Sequence, residues 1–246
     1  MMGKLTPRSW FDSGYSPHYV LLTTPLAIFL SLPFPSPFLP FITSAVILPA
    51  IYYYAESEKL IKAFWVVALW ATLLFAIISG LTFIFPEMMV ARVYSYGFDE
   101  TYTQVDTNNN EAVLKAAIGM GLDRAVGIAI ILSLSFVSFG IFPAFFAAIV
   151  LVTSGLSFGE TISQNHNFDV ILLGVKPWLV YRFAGMAMLS IGAAFISYRV
   201  IAGKPVQLAR SFKWILVGTI FVLFDIYLSV YLELAWNKAA LSAMNL

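Results

Sequence analysis

From Phe64 to Phe85 the chain runs without a single charged residue, and Pro86 stands directly behind it. A helix of that length crosses the roughly 30 Å hydrocarbon layer of a membrane, which takes about 20 apolar residues. Proline lacks the N–H that would continue the helix, so the segment should stop there. Similar apolar runs recur at Tyr19–Leu32, Phe41–Ala55, Ala125–Ile141, Ala144–Phe158, Trp178–Ile201 and Trp214–Leu234. The sequence therefore predicts an all-α, polytopic transmembrane helical bundle of about seven apolar segments, with the lipid bilayer as its first partner. Composition agrees, because 11% of the 246 residues are charged, against about 25% in a soluble domain.

The first two runs flank the proline-rich stretch Pro33–Pro40, which cannot be helical throughout, and they read as a hairpin. Ahead of them, Trp10, Phe11 and Tyr15 lie among polar neighbours, a mixture suited to the headgroup layer. No basic n-region or small-residue cleavage site marks the first run as a signal peptide, so it reads as a retained helix. Two units are expected: 1–62, an interfacial segment plus hairpin, and 63–246, a five-helix membrane core. Within the core, 87–124 is the long polar stretch, acid-rich and expected outside. Its second half, Glu111–Asp123, interleaves polar residues with Val113, Leu114, Ala117, Ile118 and Met120, the pattern of a short amphipathic helix lying at the interface. Phe142 and Pro143 alone separate Ala125–Ile141 from Ala144–Phe158. A continuous helix of about 35 residues would exceed about 50 Å, so a tight hairpin jointed at Phe142–Pro143 is expected.

Lysine and arginine are retained in cytoplasmic loops. Alternating seven spans places Lys4, Arg8, Lys59, Lys62, Arg199, Lys204, Arg210 and Lys213 on one side. That side reads as cytoplasmic, with the amino terminus, in a multi-pass protein of the cell membrane.

Several chemistries find no support. The chain has no cysteine, which excludes disulfides, thiolate metal sites and cysteine nucleophiles. A net charge of +1 offers no field for nucleic acid, which is not expected as a partner. His18 and His166 both fall outside the apolar runs, where they could not hold haem in a bundle. Glu160, His166 and Asp169 match no compact metal-ligand spacing. Gly155-Leu156-Ser157-Phe158-Gly159 has the form of a serine-hydrolase elbow, but that device needs a strand before the serine and a helix after it. Here the pentapeptide ends an apolar helix, and the two glycines, one turn apart, suit close helix packing instead. Gly185 and Gly192 suit the same use. No catalytic residue, metal or cofactor is expected.

Charges inside a membrane are costly and need partners, water or a function. Arg182, Asp225 and Glu233 are such charges, and Asp225, Ser229 and Glu233 share one face of the last segment at four-residue spacing. Arg182 enters its segment about as deep as Glu233 leaves the next, so an Arg182–Glu233 ion pair is expected. Asp225 lies nearer the midplane, with no evident cation at its depth.

From Phe64 onward the layout resembles the stage II sporulation protein M family of helical membrane proteins. The likeness is carried by the proline-ended first span, the amphipathic stretch, and the hairpin with its joint at Gly140–Pro143. It continues in a small-residue turn at Ser154–Gly159, the glycine- and alanine-rich span around Gly185–Ala194, a basic loop, and a last span ending in Glu233. Ser154 stands where the family tends to show asparagine, the His-Gly and glutamate usual before the sixth span are missing from Lys176–Arg182, and Tyr19–Ala55 is an addition. The resemblance implies a non-enzymatic membrane protein. In sporulating bacteria the family's founding member anchors and localises cell-wall hydrolases during engulfment. The functional expectation is thus a self-associating membrane scaffold or organising component, a homo-oligomer able to engage a membrane or extracytoplasmic protein. The alternative is a transport protein, such as an exporter permease subunit, using Arg182, Asp225 and Glu233 as a polar stripe.

Overall fold

The computed structural model describes residues 16–34, 38–93, 126, 129–130, 133–135, 138, 140–164 and 178–244. The described residues form helices α1 (Ser16–Ser31), α2 (Phe38–Glu56), α3 (Leu60–Ile84), α4 (Pro86–Val93), α5 (Ile141–Gln164), α6 (Trp178–Ile201) and α7 (Leu208–Met244). Five of them, α2, α3, α5, α6 and α7, are long and apolar enough to cross a membrane, which makes this a membrane-embedded helical protein. The expected count of about seven is not confirmed among the described residues: the 16 described residues of α1 are fewer than a crossing needs, and of Ala125–Ser135 only positions 126, 129–130 and 133–135 are described, each of them helical. The amphipathic stretch Glu111–Asp123, the aromatic residues Trp10, Phe11 and Tyr15, and the loop with His166 and Asp169 lie outside the described residues.

Prolines punctuate the helices largely as their chemistry requires. Ser31 and Phe38 bound the gap across Pro33–Pro37, and α3 gives way to α4 at Pro86, which occupies a first-turn position where a missing N–H costs nothing. The joint before α5 differs from the expected one. Phe142 and Pro143 sit inside the first turn of α5, and the turn is made by Gly140, whose φ of 83° an L side chain would rarely adopt. Buried turn backbone must be satisfied without water. Gly140 N–H donates to Ser135 O at 3.0 Å, Phe142 N–H donates to Ser138 Oγ at 3.1 Å, and Ser190 Oγ of α6 donates to Gly140 O at 2.7 Å.

One core runs through α1, α2, α3, α5 and α6, with Val20, Ile47, Trp70, Leu74, Ile78, Ala148 and Phe195 among its buried members. The hairpin α1–α2 thus shares its packing with the later helices. In lipid no hydrophobic force drives helices together, so close approach depends on small residues. Several buried hydroxyls bond back along their own helix, as Thr43 does to Leu39 O, Thr82 to Ile78 O and Ser197 to Ala193 O. They therefore add little polarity to the core. The last helix is peripheral: α7 packs chiefly on α6, and Leu216, Ile220, Leu223 and Tyr227 face outward.

Candidate functional site

Two seams of glycine fix how the helices meet. Along α5, a methyl group on Gly155 would lie 3.2 Å from Phe75 O of α3, and one on Gly159 only 2.5 Å from Ser79 O. Phe75 and Phe158 stack beside them at 5.6 Å. The segment Ser154–Gly159, expected as the end of a span or a turn, is instead continuous helix within α5, because both glycines are needed on one face against α3. Ser157 is accordingly an exposed mid-helix residue, without the strand that an elbow requires.

Between α6 and α7 the contact is reciprocal. A methyl on Gly185 would meet Gly218 O at 2.8 Å, one on Gly218 would meet Gly185 O at 2.9 Å, and one on Gly192 would meet Ile215 Cγ1 at 2.9 Å. All four glycines expected to pack helices are thus covered by helices of the same chain. These faces are therefore not open surfaces on which a second copy could pack. Gly218 escaped the sequence reading because its partner glycine is on another helix, where spacing along one segment gives no signal.

The Gly185–Gly218 crossing also sets the register of the intramembrane charges. Three residues before Gly185, Arg182 comes level with the turn of α7 that follows Val222. Its neighbour Tyr181 packs on Phe221 and Phe224 there. Arg182 Nε donates to Asp225 Oδ2 at 2.8 Å, with side chains 24% and 3% exposed. This overturns one expectation, since Asp225 does have a cation at its depth; Arg182 is engaged by Asp225, and the expected Arg182–Glu233 pair falls on a side chain outside the described residues. Depth counted inward from Trp214 and Leu234 does not reveal this register, which the Gly185–Gly218 crossing sets by bringing Arg182 level with Asp225. Ser229 is buried and donates to Ile226 O at 3.0 Å.

A second charged cluster joins three helices at the opposite end of α6. Both turns at this end close by the same pairing of a six-residue and a four-residue bond. Lys59 N–H reaches Tyr54 O while Glu58 N–H reaches Ala55 O, and Lys204 N–H reaches Arg199 O while Gly203 N–H reaches Val200 O. The left-handed residue is Gly203 in one turn, at φ 63°, and Glu58 in the other, at φ 59°. A glutamate there costs about 1 kcal/mol that glycine would not. It is offset by what Glu58 holds: its carboxylate accepts from Arg199 Nη2 and from Arg210 Nη1 at 2.9 Å, and its carbonyl accepts from Arg210 Nη2 at 2.7 Å. Both guanidiniums also lie over the Phe195 ring, and Arg199 Nη1 donates to Pro205 O at 2.7 Å. In the sequence these residues registered only as topology markers. The sole hint of a clamp was an acid set among bases in a short turn.

The bonds from Arg199, reinforced by Arg210, hold the Glu58 carboxyl below its usual range. A carboxylate with a depressed pKa stabilises the fold above its unfolded value, and that contribution is lost as pH falls through the carboxylate range toward the folded value. Melting curves in mild detergent should therefore drop more between pH 7 and pH 4, about the span in which carboxylates protonate, for the native chain than for Glu58→Gln. Parallel curves would mean that the clamp carries no pH-dependent stability. No family model, curated protein or solved structure matches this chain.

Proposed function

We propose that this chain is a non-enzymatic, multi-pass scaffold or organising component of the cell membrane, needing no cofactor and binding no nucleic acid. The observation that carries this reading is the Arg182–Asp225 pair, in which the costly intramembrane charges are used on each other to hold α6 to α7. The resemblance to the stage II sporulation protein M family belongs to the same proposal and points the same way. Assembly with a second copy, or with a membrane or extracytoplasmic protein, falls to surfaces other than the glycine seams. The outward side of α7 is the most open: 22% of its spanning window is buried, against 39–56% for the other four.

The basic residues Lys59, Lys62, Arg199, Lys204, Arg210 and Lys213 belong to the end of the bundle built around Glu58. This supports placing that end, and the amino terminus, in the cytoplasm, with 87–124 outside. The native chain lacks cysteine, so single-cysteine labelling tests it cleanly. A cysteine at position 105 should react from outside, and reaction from the cytoplasmic side alone would reverse the topology. For the scaffold itself, the test is purification in mild detergent with measurement of mass and co-purifying protein. A stable oligomer or a bound partner protein is the expected result. A lone monomer that conducts ions or solutes in liposomes would instead establish transport.

A further inference from the structure

We propose that the Glu58 end of the bundle binds the phosphate headgroup of an anionic phospholipid, with Arg210 as its fixed donor and Lys62 and Lys213 beside it. This rests on embedding in a membrane and not on the scaffold reading. Six basic residues stand at this end (Lys59, Lys62, Arg199, Lys204, Arg210, Lys213) against the two acids Glu56 and Glu58, so positive charge is in excess. Glu58 is already committed to Arg199 and Arg210, and Arg199 is buried. Arg210 is different. Its side chain is 43% exposed, and Glu58 uses two of its N–H donors while Phe195 backs the guanidinium plane at 5.8 Å. The remaining donors of a planar five-donor fork are thus held in position before any ligand arrives, and such a fork matches phosphate oxygens.

The surroundings favour a lipid over a soluble anion. Phe64 of α3 packs on Trp214 of α7 at 6.3 Å, so Lys62 and Lys213 stand at the starts of adjacent helices. Between and beside these bases, Trp65 is 67% exposed and Phe212 60% exposed, with Ile61 and Leu208 also outward. Cations at the rim of an exposed apolar surface fit a headgroup whose acyl chains run down that surface, and tryptophan favours that level of the bilayer. A free phosphate gains nothing from the apolar part.

The test uses the full chain in mild detergent, titrated with phosphatidylglycerol or phosphatidylcholine, with bound lipid counted by native mass spectrometry. Phosphatidylglycerol should be retained and phosphatidylcholine lost. The double variant Lys62→Gln/Lys213→Gln leaves the Glu58 clamp intact and should bind phosphatidylglycerol about thirtyfold more weakly, given about 1 kcal/mol for each basic residue near anionic lipid. Arg210→Gln should abolish retention, and if that variant does not fold the double variant decides alone. Equal retention of the two lipids, or unchanged binding by the double variant, would overturn the proposal. So would competition by glycerol 3-phosphate at lipid-like concentrations, which would identify a site for the phosphate ion alone.

Discussion

Gly159→Leu should abolish the folded protein, and Gly159→Ala should already weaken it. A β-carbon at Gly159 would lie 2.5 Å from the backbone oxygen of Ser79 and 2.7 Å from Thr82 Cβ. A carbonyl in a helix cannot rotate aside as a side chain can, so the only relief is separation of α3 from α5. That separation would also part Phe75 from Phe158 and open the packing around Ile78, which is fully buried. Overpacking of a core typically costs about 1–3 kcal/mol, and a clash with backbone should place leucine at or beyond the upper end. Resistance to unfolding in mild detergent is the measurement. Two controls separate this from a general intolerance: Ser157→Ala on the exposed side of the same helix should be silent, and Gly80→Ala, which meets nothing within 4 Å, should be neutral or stabilising. A Gly159→Leu protein as stable as the native chain would mean that α3 and α5 do not touch along this seam.

The seam illustrates what the sequence could and could not reveal. Glycines one turn apart on an apolar helix announce close packing, because the spacing puts both on one face. They do not say which helix arrives on that face, and so Gly155, Gly159, Gly185 and Gly192 were legible as packing residues but not as contacts within one chain. Span positions were readable from hydropathy to within a turn or two, since an apolar run without charges has no alternative inside a bilayer. The ends were less legible, because hydropathy does not sense continuation into water. Here α7 begins at Leu208 and runs to Met244, well past the expected Trp214–Leu234 at both ends. The Arg182–Asp225 pair was not legible either, because it depends on which turn of α7 the Gly185–Gly218 crossing brings level with Arg182. Glu58 was the least legible of all, since its importance lies in a backbone conformation and two distant arginines that no local pattern records.

Breaking the Arg182–Asp225 pair should be the most informative change in the membrane-spanning part. Arg182→Met leaves a buried carboxylate at Asp225, and Asp225→Leu leaves a guanidinium without its acceptor, so either should cost about 3–5 kcal/mol. The double variant Arg182→Met/Asp225→Leu removes both charges together and replaces them with apolar side chains of similar size. If the pair serves to hold α6 against α7, the double variant should recover much of the lost stability, because the Gly185–Gly218 crossing that sets the register is untouched. Detergent stability of the two singles and the double, measured in one series, gives the coupling directly. Additive losses in the double variant would remove the clasp as the purpose of these charges. Ion or proton flux in liposomes completes the case, because a transport pathway predicts a double variant that folds yet no longer conducts. Flux that is present in the native protein and lost in Asp225→Asn, with stability unchanged, would replace the scaffold by a transporter. Absence of flux throughout, together with recovery in the double variant, would leave the intramembrane charges with the structural role that their 2.8 Å contact describes.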